Sequence, residues 1–367
     1  MHRYFSHAIF VVFSCAAACD ATSQDLGNNN APLPEDASAS TDPRDRPDSG
    51  DQKPAPDGSS SDSPASTPPA FVAGVPFTLV SSNFGIIHGL WGSGASDLWG
   101  VGDANGIAHY DGSSWSFFKN PSTAFGSDGY RFTAVSGKSS ASAWAVGYVA
   151  GAGIIKAQLV KWTGSDWVEP AAKLNNLGEY YLLNGVWAAG EEDVWVVGAG
   201  EGSKGFAAHL HGGSWEKLPL DPGGAYYTIW GADADHIFVG AKDRILSYNG
   251  STFVPVSTGL SSMIKAIGGT SATDVWAFGS SGLARHWDGS TWTTTPMGAP
   301  LDFNATIARA SNDVFAVGTM PGIGSAVAHW NGTAWTRGQV ADGAGLYAVW
   351  GMNEIWALGN GVIYRGL

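Results

Sequence analysis

A short phrase recurs along this chain. "SDLWGVG" at 96–102 returns as "SAWAVG" (142–147), "DVWVVG" (193–198), "HIFVGA" (236–241), "DVWAFG" (274–279), "DVFAVG" (313–318) and "EIWALG" (354–359). The aromatic anchors are Trp99, Trp144, Trp195, Phe238, Trp276, Phe315 and Trp356, spaced 45, 51, 43, 38, 39 and 41 residues apart. A period near 40 with several short strands per period is the signature of propeller blades.

Each period contains four strand-like pieces. Strand A ends in runs such as "LWG", "GVWAA", "TIWG" and "AVWG", and strand B is the recurring phrase itself. Strand C reads "IAHYDG" (107–112), "LVKWTG" (159–164), "AAHLHG" (207–212), "ILSYNG" (245–250), "LARHWDG" (283–289) or "AVAHWNG" (326–332). Strand D is carried by Trp115, Trp167, Trp215, Phe253, Trp292 and Trp335. Asp-Gly and Asn-Gly between C and D predict hairpin turns of type I′, which need positive φ. The Gly closing strand B is expected to serve the same need. Asp97, Asp193, Asp274 and Asp313, just before strand B, are expected to accept backbone N–H bonds in turns. The repeated Trp is expected to pack between neighbouring blades.

The seventh period stops after a strand C, "VIYRGL", while "VPFTLVSS" (75–82) stands alone before the first, with Phe77 where other periods place Trp. The N-terminal piece is therefore expected to complete the last blade and close the ring, leaving no exposed strand edge at the seam. The fold class is all-β: a seven-bladed β-propeller with 3+1 closure over 71–367, with 71–83 as the closing strand.

All 17 Trp lie beyond residue 90. The segment 20–70 has no aromatic residue and holds ten acidic side chains against three basic ones. Such a composition does not bury enough apolar surface to offset its ordering entropy, so 19–70 is expected to be a disordered linker. The propeller region lacks a basic patch, which argues against nucleic acid as a partner. Residues 1–18 read as a signal peptide, with Arg3 before the apolar run Ala8–Phe13, which is too short to span a bilayer. Ala16-Ala17-Ala18 then precedes Cys19, which resembles a bacterial lipoprotein signal. That resemblance implies lipidation of Cys19, a membrane anchor and a place in the cell envelope; Cys15 is the competing site, and an ordinary secretory signal the plainer alternative. The two cysteines are Cys15 and Cys19, so the propeller holds no thiol chemistry.

The repeat as a whole, from "WGSGASDLWGVG" to "HYDGSSW", resembles a class of envelope β-propeller proteins common in myxobacteria and related bacteria. The resemblance implies the fold and no activity.

Several features invite a chemical reading and do not sustain it. "DGSSW" and "DGSTW" approach the Asp-box of sialidases, but Asp111 lies four residues before Trp115 and Asp288 four before Trp292, where the box has five. Six arginines are scattered over several blades, where a sialidase needs a cluster. His109, His209, His286 and His329 occupy one repeat position in four blades and cannot converge on one ion. "GDANG" (102–106) lacks a full calcium-loop pattern. No metal, no cofactor and no enzymatic activity are expected.

A site should lie where the repeats disagree. The D–A and B–C connections are long and unlike, share one face of the disc, and are expected to carry recognition. Aligned on the end of strand A, the position three residues earlier holds His88, Thr133, Asn184, Tyr227, Lys265, Asn304 and Tyr347, different in nearly every blade. The next position is uniformly small. The seven are expected to ring the channel mouth and bind a ligand, with Tyr130, Arg131, Tyr180, Tyr181 and Tyr226 around them. The expected function is that of an exported, monomeric binding or scaffold module for a protein or glycan partner. The competing readings are a glycan hydrolase or lyase and a purely architectural envelope component.

Overall fold

The computed structural model describes residues 77–366, apart from 82–84, 104–105, 119–129, 152–153, 175–181, 221–222, 258–261, 296, 298–300, 323 and 341–342. Cys19, the segments read as a signal peptide (1–18) and a linker (19–70), Tyr180 and Tyr181 lie outside the described residues. The described part consists of seven four-stranded antiparallel sheets. In blade 1 the strands A to D are Ile87–Gly94, Asp97–Gly102, Ile107–Tyr110 and Trp115–Phe118. The A strands contact one another around the ring, including the first with the last, so they line the axis.

The last blade has the order Phe77–Ser81, Ile363–Gly366, Ile355–Gly359, Leu346–Gly351. The N-terminal strand is thus the outer strand of the blade begun by the C-terminus, the 3+1 closure expected from the repeat. Phe77 packs on the cluster containing Phe315, at the place filled by strand-D Trp residues elsewhere.

The anchors on strand B are buried in every blade. Anchors lie against aromatic groups of the following blade, as Trp99 does against Trp162 and Trp167, Trp276 against Trp330 and Trp335, and Trp356 across the seam against Tyr110 and Trp115. Large aromatics bury enough area to dominate a core, and a regular wedge between twisted sheets is a direct use of it.

Three local expectations are corrected. First, Gly102, Gly147, Gly198, Gly279, Gly318 and Gly359, at the end of strand B, do not have positive φ. A Cβ on Gly198 would sit 1.8 Å from the Leu182 carbonyl oxygen, and on Gly102 1.8 Å from that of Ile86. Close approach of strand A excludes a side chain there. Second, most C–D connections are four-residue loops: Tyr110 pairs with Trp115, and the Asp111 N–H donates to the Ser114 carbonyl. Asp111 Oδ1 accepts from the Ser113 and Ser114 N–H groups and the Ser113 hydroxyl, and only the following Gly112 takes positive φ (92°). The Ser113 hydroxyl, with these backbone donors, holds the Asp111 carboxyl down to about 2. A two-residue turn occurs in blade 3, at Gly212-Gly213.

Third, the Asp before strand B binds a side chain. Asp97, Asp193, Asp274 and Asp313 accept from Nε2 of His109, His209, His286 and His329, at 2.6, 2.7, 2.7 and 2.9 Å. Each imidazole stacks on its cross-strand anchor, with centroid distances of 4.2 Å on Trp99, 3.7 Å on Trp195, 4.4 Å on Trp276 and 4.1 Å on Phe315. In blades 2 and 7 a cation takes the imidazole's place: Lys161 lies over Trp144 and pairs with Glu192, and Arg365 lies over Trp356 and pairs with Glu354. The acid, the cation or imidazole, and the ring form one stacked unit that caps the wedge.

Candidate functional site

Strand A is interrupted in every blade. Its register with strand B shifts between Ile87 and Gly89, Phe132 and Ala134, Leu183 and Gly185, Tyr226 and Thr228, Ile264 and Ala266, Phe303 and Ala305, and Leu346 and Ala348. The residue skipped each time is His88, Thr133, Asn184, Tyr227, Lys265, Asn304 or Tyr347. A bulge releases one residue from the ladder and redirects its side chain. Repeated seven times, it places these residues around a common cavity of about 450 Å³ on the axis. In six blades the glycine at the end of strand B is part of the same device, because the strand-A carbonyl two residues before the bulged one occupies its Cβ space; blade 4 has Ala241 at this position.

The small column next to the ring also has a steric cause. A Cβ on Gly89 would lie 2.9 Å from Ala134 Cα, and one on Gly185 3.1 Å from Ile229 Cγ2. Neighbouring A strands approach too closely for anything larger.

The seven ring residues divide by what they bind. Thr133 Oγ1 donates to carbonyl oxygens of Val146 (3.1 Å) and Leu183 (2.6 Å). Asn184 Nδ2 donates to the Tyr226 carbonyl (2.8 Å) and Asn304 Nδ2 to that of Leu346 (3.0 Å). These three side chains tie strand A of one blade to strand A of the next, so blade packing does employ part of the polar variety. His88, Tyr227, Lys265 and Tyr347 are half-buried on the cavity wall.

On the blade 1 and 2 side, His88 Nε2 donates to Asp103 Oδ1 at 2.9 Å, and Arg131 Nε reaches the same oxygen at 2.5 Å. Burial alone would raise the Asp103 carboxyl; the His88 hydrogen bond and the charges of His88 and Arg131 outweigh it and hold the group below its ordinary value. Arg131 also lies over the Tyr148 ring, and His88 faces Tyr347 with ring centroids 5.8 Å apart. Lys265 Nζ stands 3.8 Å from Asp302 Oδ2. The repeat does not mark Asp103, because it occurs in one blade only, within the "GDANG" segment that lacks a full calcium-loop pattern. Its signal is its place directly after strand B, where it bridges to Arg131 of the next blade.

Tyr130 and Tyr226 are not on the mouth. Their exposures are 2% and 1%. Tyr226 belongs to the column directly before the ring, otherwise Ile87, Phe132, Leu183, Ile264, Phe303 and Leu346, all buried apolar residues. That uniformity marks the column as core.

No family model and no curated protein matches the chain. Solved structures do share its fold. "YCF48 bound to D1 peptide" superposes with a TM-score of 0.60 at 17% identity, over 82% of this chain and 99% of that one. YCF48 from Cyanidioschyzon merolae gives 0.58 at 16%, over 80% and 99%. The RRP9 WD40 repeats give 0.61 at 8%, over 80% and 97%. At these identities the likeness is one of fold: the chain is a repeat-built β-propeller.

Proposed function

We propose that this propeller is a non-catalytic binding module for a protein partner, engaged at the loop-side end of its channel. The observation that carries the reading is the ring of seven bulged residues, whose side chains face one cavity and differ between blades. Tyr227, Tyr347 and Lys265 are the anchors, since Tyr is among the residues that most often dominate interface energy. A propeller of the same fold solved with a D1 peptide supports a peptide-bearing partner over a glycan. Titration of candidate partners against the full chain tests it. Tyr227→Ala with Lys265→Ala is expected to abolish binding with nearly unchanged melting temperature; full binding by that variant would refute the assignment.

The His88–Asp103 pair favours a second reading, a hydrolase or lyase with His88 as base. Against it, the Thr133 hydroxyl beside the pair is committed to two carbonyls, and Asp103 is shared with Arg131. Turnover of ester or glycoside substrates that is lost in His88→Ala would establish the enzyme instead.

Export and lipid anchoring through Cys19 complete the proposal. The apolar run Ala8–Phe13 followed by Ala16-Ala17-Ala18-Cys19 supports them, with the acidic segment 20–70 as the tether to an envelope membrane. Cys19→Ala should move the protein from the membrane to the soluble fraction; unchanged membrane retention would sink the anchor.

A further inference from the structure

At the opposite end of the channel, strand A carries a second pattern. Trp350, Trp91, Trp187 and Trp230 each lie against a glycine of the following blade: Gly92, Gly137, Gly231 and Gly269. The clearest case is Gly231, where a Cβ would meet three Trp187 ring atoms at 2.5 to 2.7 Å. At Gly92, Gly137 and Gly269 a strand-B carbonyl crowds the site as well. Blade 2 has Ser136 in place of the Trp, and blade 3 correspondingly has Ala188 in place of the glycine. The Ala188 N–H donates to Ser136 Oγ (3.2 Å), so the two blades stay tied without an indole.

The missing wedge leaves space. A pocket of about 490 Å³ opens here on the short-turn face, with Trp91 and Trp187 on its walls and Gly137, Ala188 and Gly231 among its small residues. Its polar groups are Ser93, Lys138, Asp193 and Asp233. Lys138 is exposed and makes no hydrogen bond or ion pair among the described residues. Asp193 Oδ1 accepts from the His209 imidazole (2.7 Å), and Asp233 Oδ1 from the His236 imidazole (2.7 Å) and the Asp235 N–H (3.0 Å), so the acceptor capacity of each carboxylate is only partly used.

We propose that this pocket binds one pyranose ring of a saccharide. Two indoles offer apolar surface to ring C–H groups, while carboxylates accept from hydroxyls and an ammonium donates to them. Two carboxylates against one free ammonium disfavour an anionic ligand. The dominance of polar groups at the opening disfavours a purely apolar one. The small floor, with Gly137 and Ala188, lies beside the blade 2 position where Ser136 stands in place of the Trp of blades 1, 3, 4 and 7. This site is separate from the loop-side ring and does not rest on it.

The test is titration of the full chain with D-glucose, D-galactose and N-acetylglucosamine, followed by tryptophan fluorescence and calorimetry. At least one sugar should bind. The paired change Ser136→Trp with Ala188→Gly copies the wedge of the other blades into blade 2; it should preserve or raise the melting temperature and weaken sugar binding at least tenfold. Asp233→Ala, at an exposed position, should weaken binding without disturbing the fold, and serves if the paired variant folds poorly. Tyr227→Ala with Lys265→Ala should leave sugar binding unchanged. Binding of none of the three sugars, binding of indole without any sugar, or full sugar binding by Asp233→Ala would overturn the proposal.

Discussion

Strand A carries two layers that repeat in different ways. At the short-turn end, a residue is matched to one in the next blade: Trp meets Gly four times, and Ser136 meets Ala188. At the loop end, the bulged residue varies from blade to blade, while the backbone shift that presents it is the same in all seven. The first layer conserves a packing relation by changing both partners. The second conserves a backbone geometry and leaves the side chain free. A propeller built from unequal repeats can therefore close its ring with one end of strand A and diversify a surface with the other.

The largest effect should come from breaking a matched pair. Trp187→Ala removes an indole lying on Gly231 and packed on the Trp195 cluster, and is expected to cost about 3 kcal/mol. Gly231→Ala alone should cost ~1–3 kcal/mol, because the new methyl meets the indole. In the Trp187→Ala background the same glycine change should be nearly neutral. The cycle, measured by denaturant unfolding, should thus show a coupling of ~1–3 kcal/mol. Additive values would mean that the two residues are not a matched pair.

Much of this architecture was legible in the sequence. The anchors from Trp99 to Trp356 revealed the period, and Phe77 revealed the closure, because a wedge position must be filled in every blade. The bulge was not legible, for a physical reason. A bulged residue is out of the ladder and under no common packing demand, so no residue type marks it. Its trace, in six blades, is the strand-B glycine, which in sequence is indistinguishable from a turn glycine. The Asp–His units were hidden differently: Asp97 and His109 are twelve residues apart, and each alone has an ordinary explanation. The candidate ring was found as a column of unlike polar residues, but its division into blade ties and cavity wall depends on carbonyl positions that only the structure supplies.

A second test compares charge at the two ends. The Asp103 carboxyl lies below its ordinary value of 3.8 in the folded state, so the folded chain favours its ionised form. That contribution is fully present above the unfolded value and is lost as pH falls through the folded one. Wild type should therefore melt higher than Asp103→Asn at neutral pH, with the gap narrowing once pH drops below about 4. At the short-turn end, Asp233 is also lowered but is largely exposed, and Asp233→Asn should show a much smaller gap. Equal gaps would remove the distinction between a packed loop-side charge cluster and a solvated one on the turn side.

The smallest effect separates the two kinds of ring residue. Asn184 donates to the Tyr226 carbonyl of the next blade at 2.8 Å, so its amide holds strand A of blade 3 to that of blade 4. Removing such a bond typically costs about 1 kcal/mol net, which for a domain of this size lowers the melting temperature by about 2 °C. Tyr227, the bulged residue one blade further on, lines the cavity, and Tyr227→Ala should shift the melting temperature by less. Asn184→Gln should not restore the loss, because the longer side chain carries its amide past the carbonyl. If Asn184→Ala melts with wild type while Tyr227→Ala melts lower, the assignments are reversed: the amide would belong to the recognition surface and the phenol to the frame that carries it.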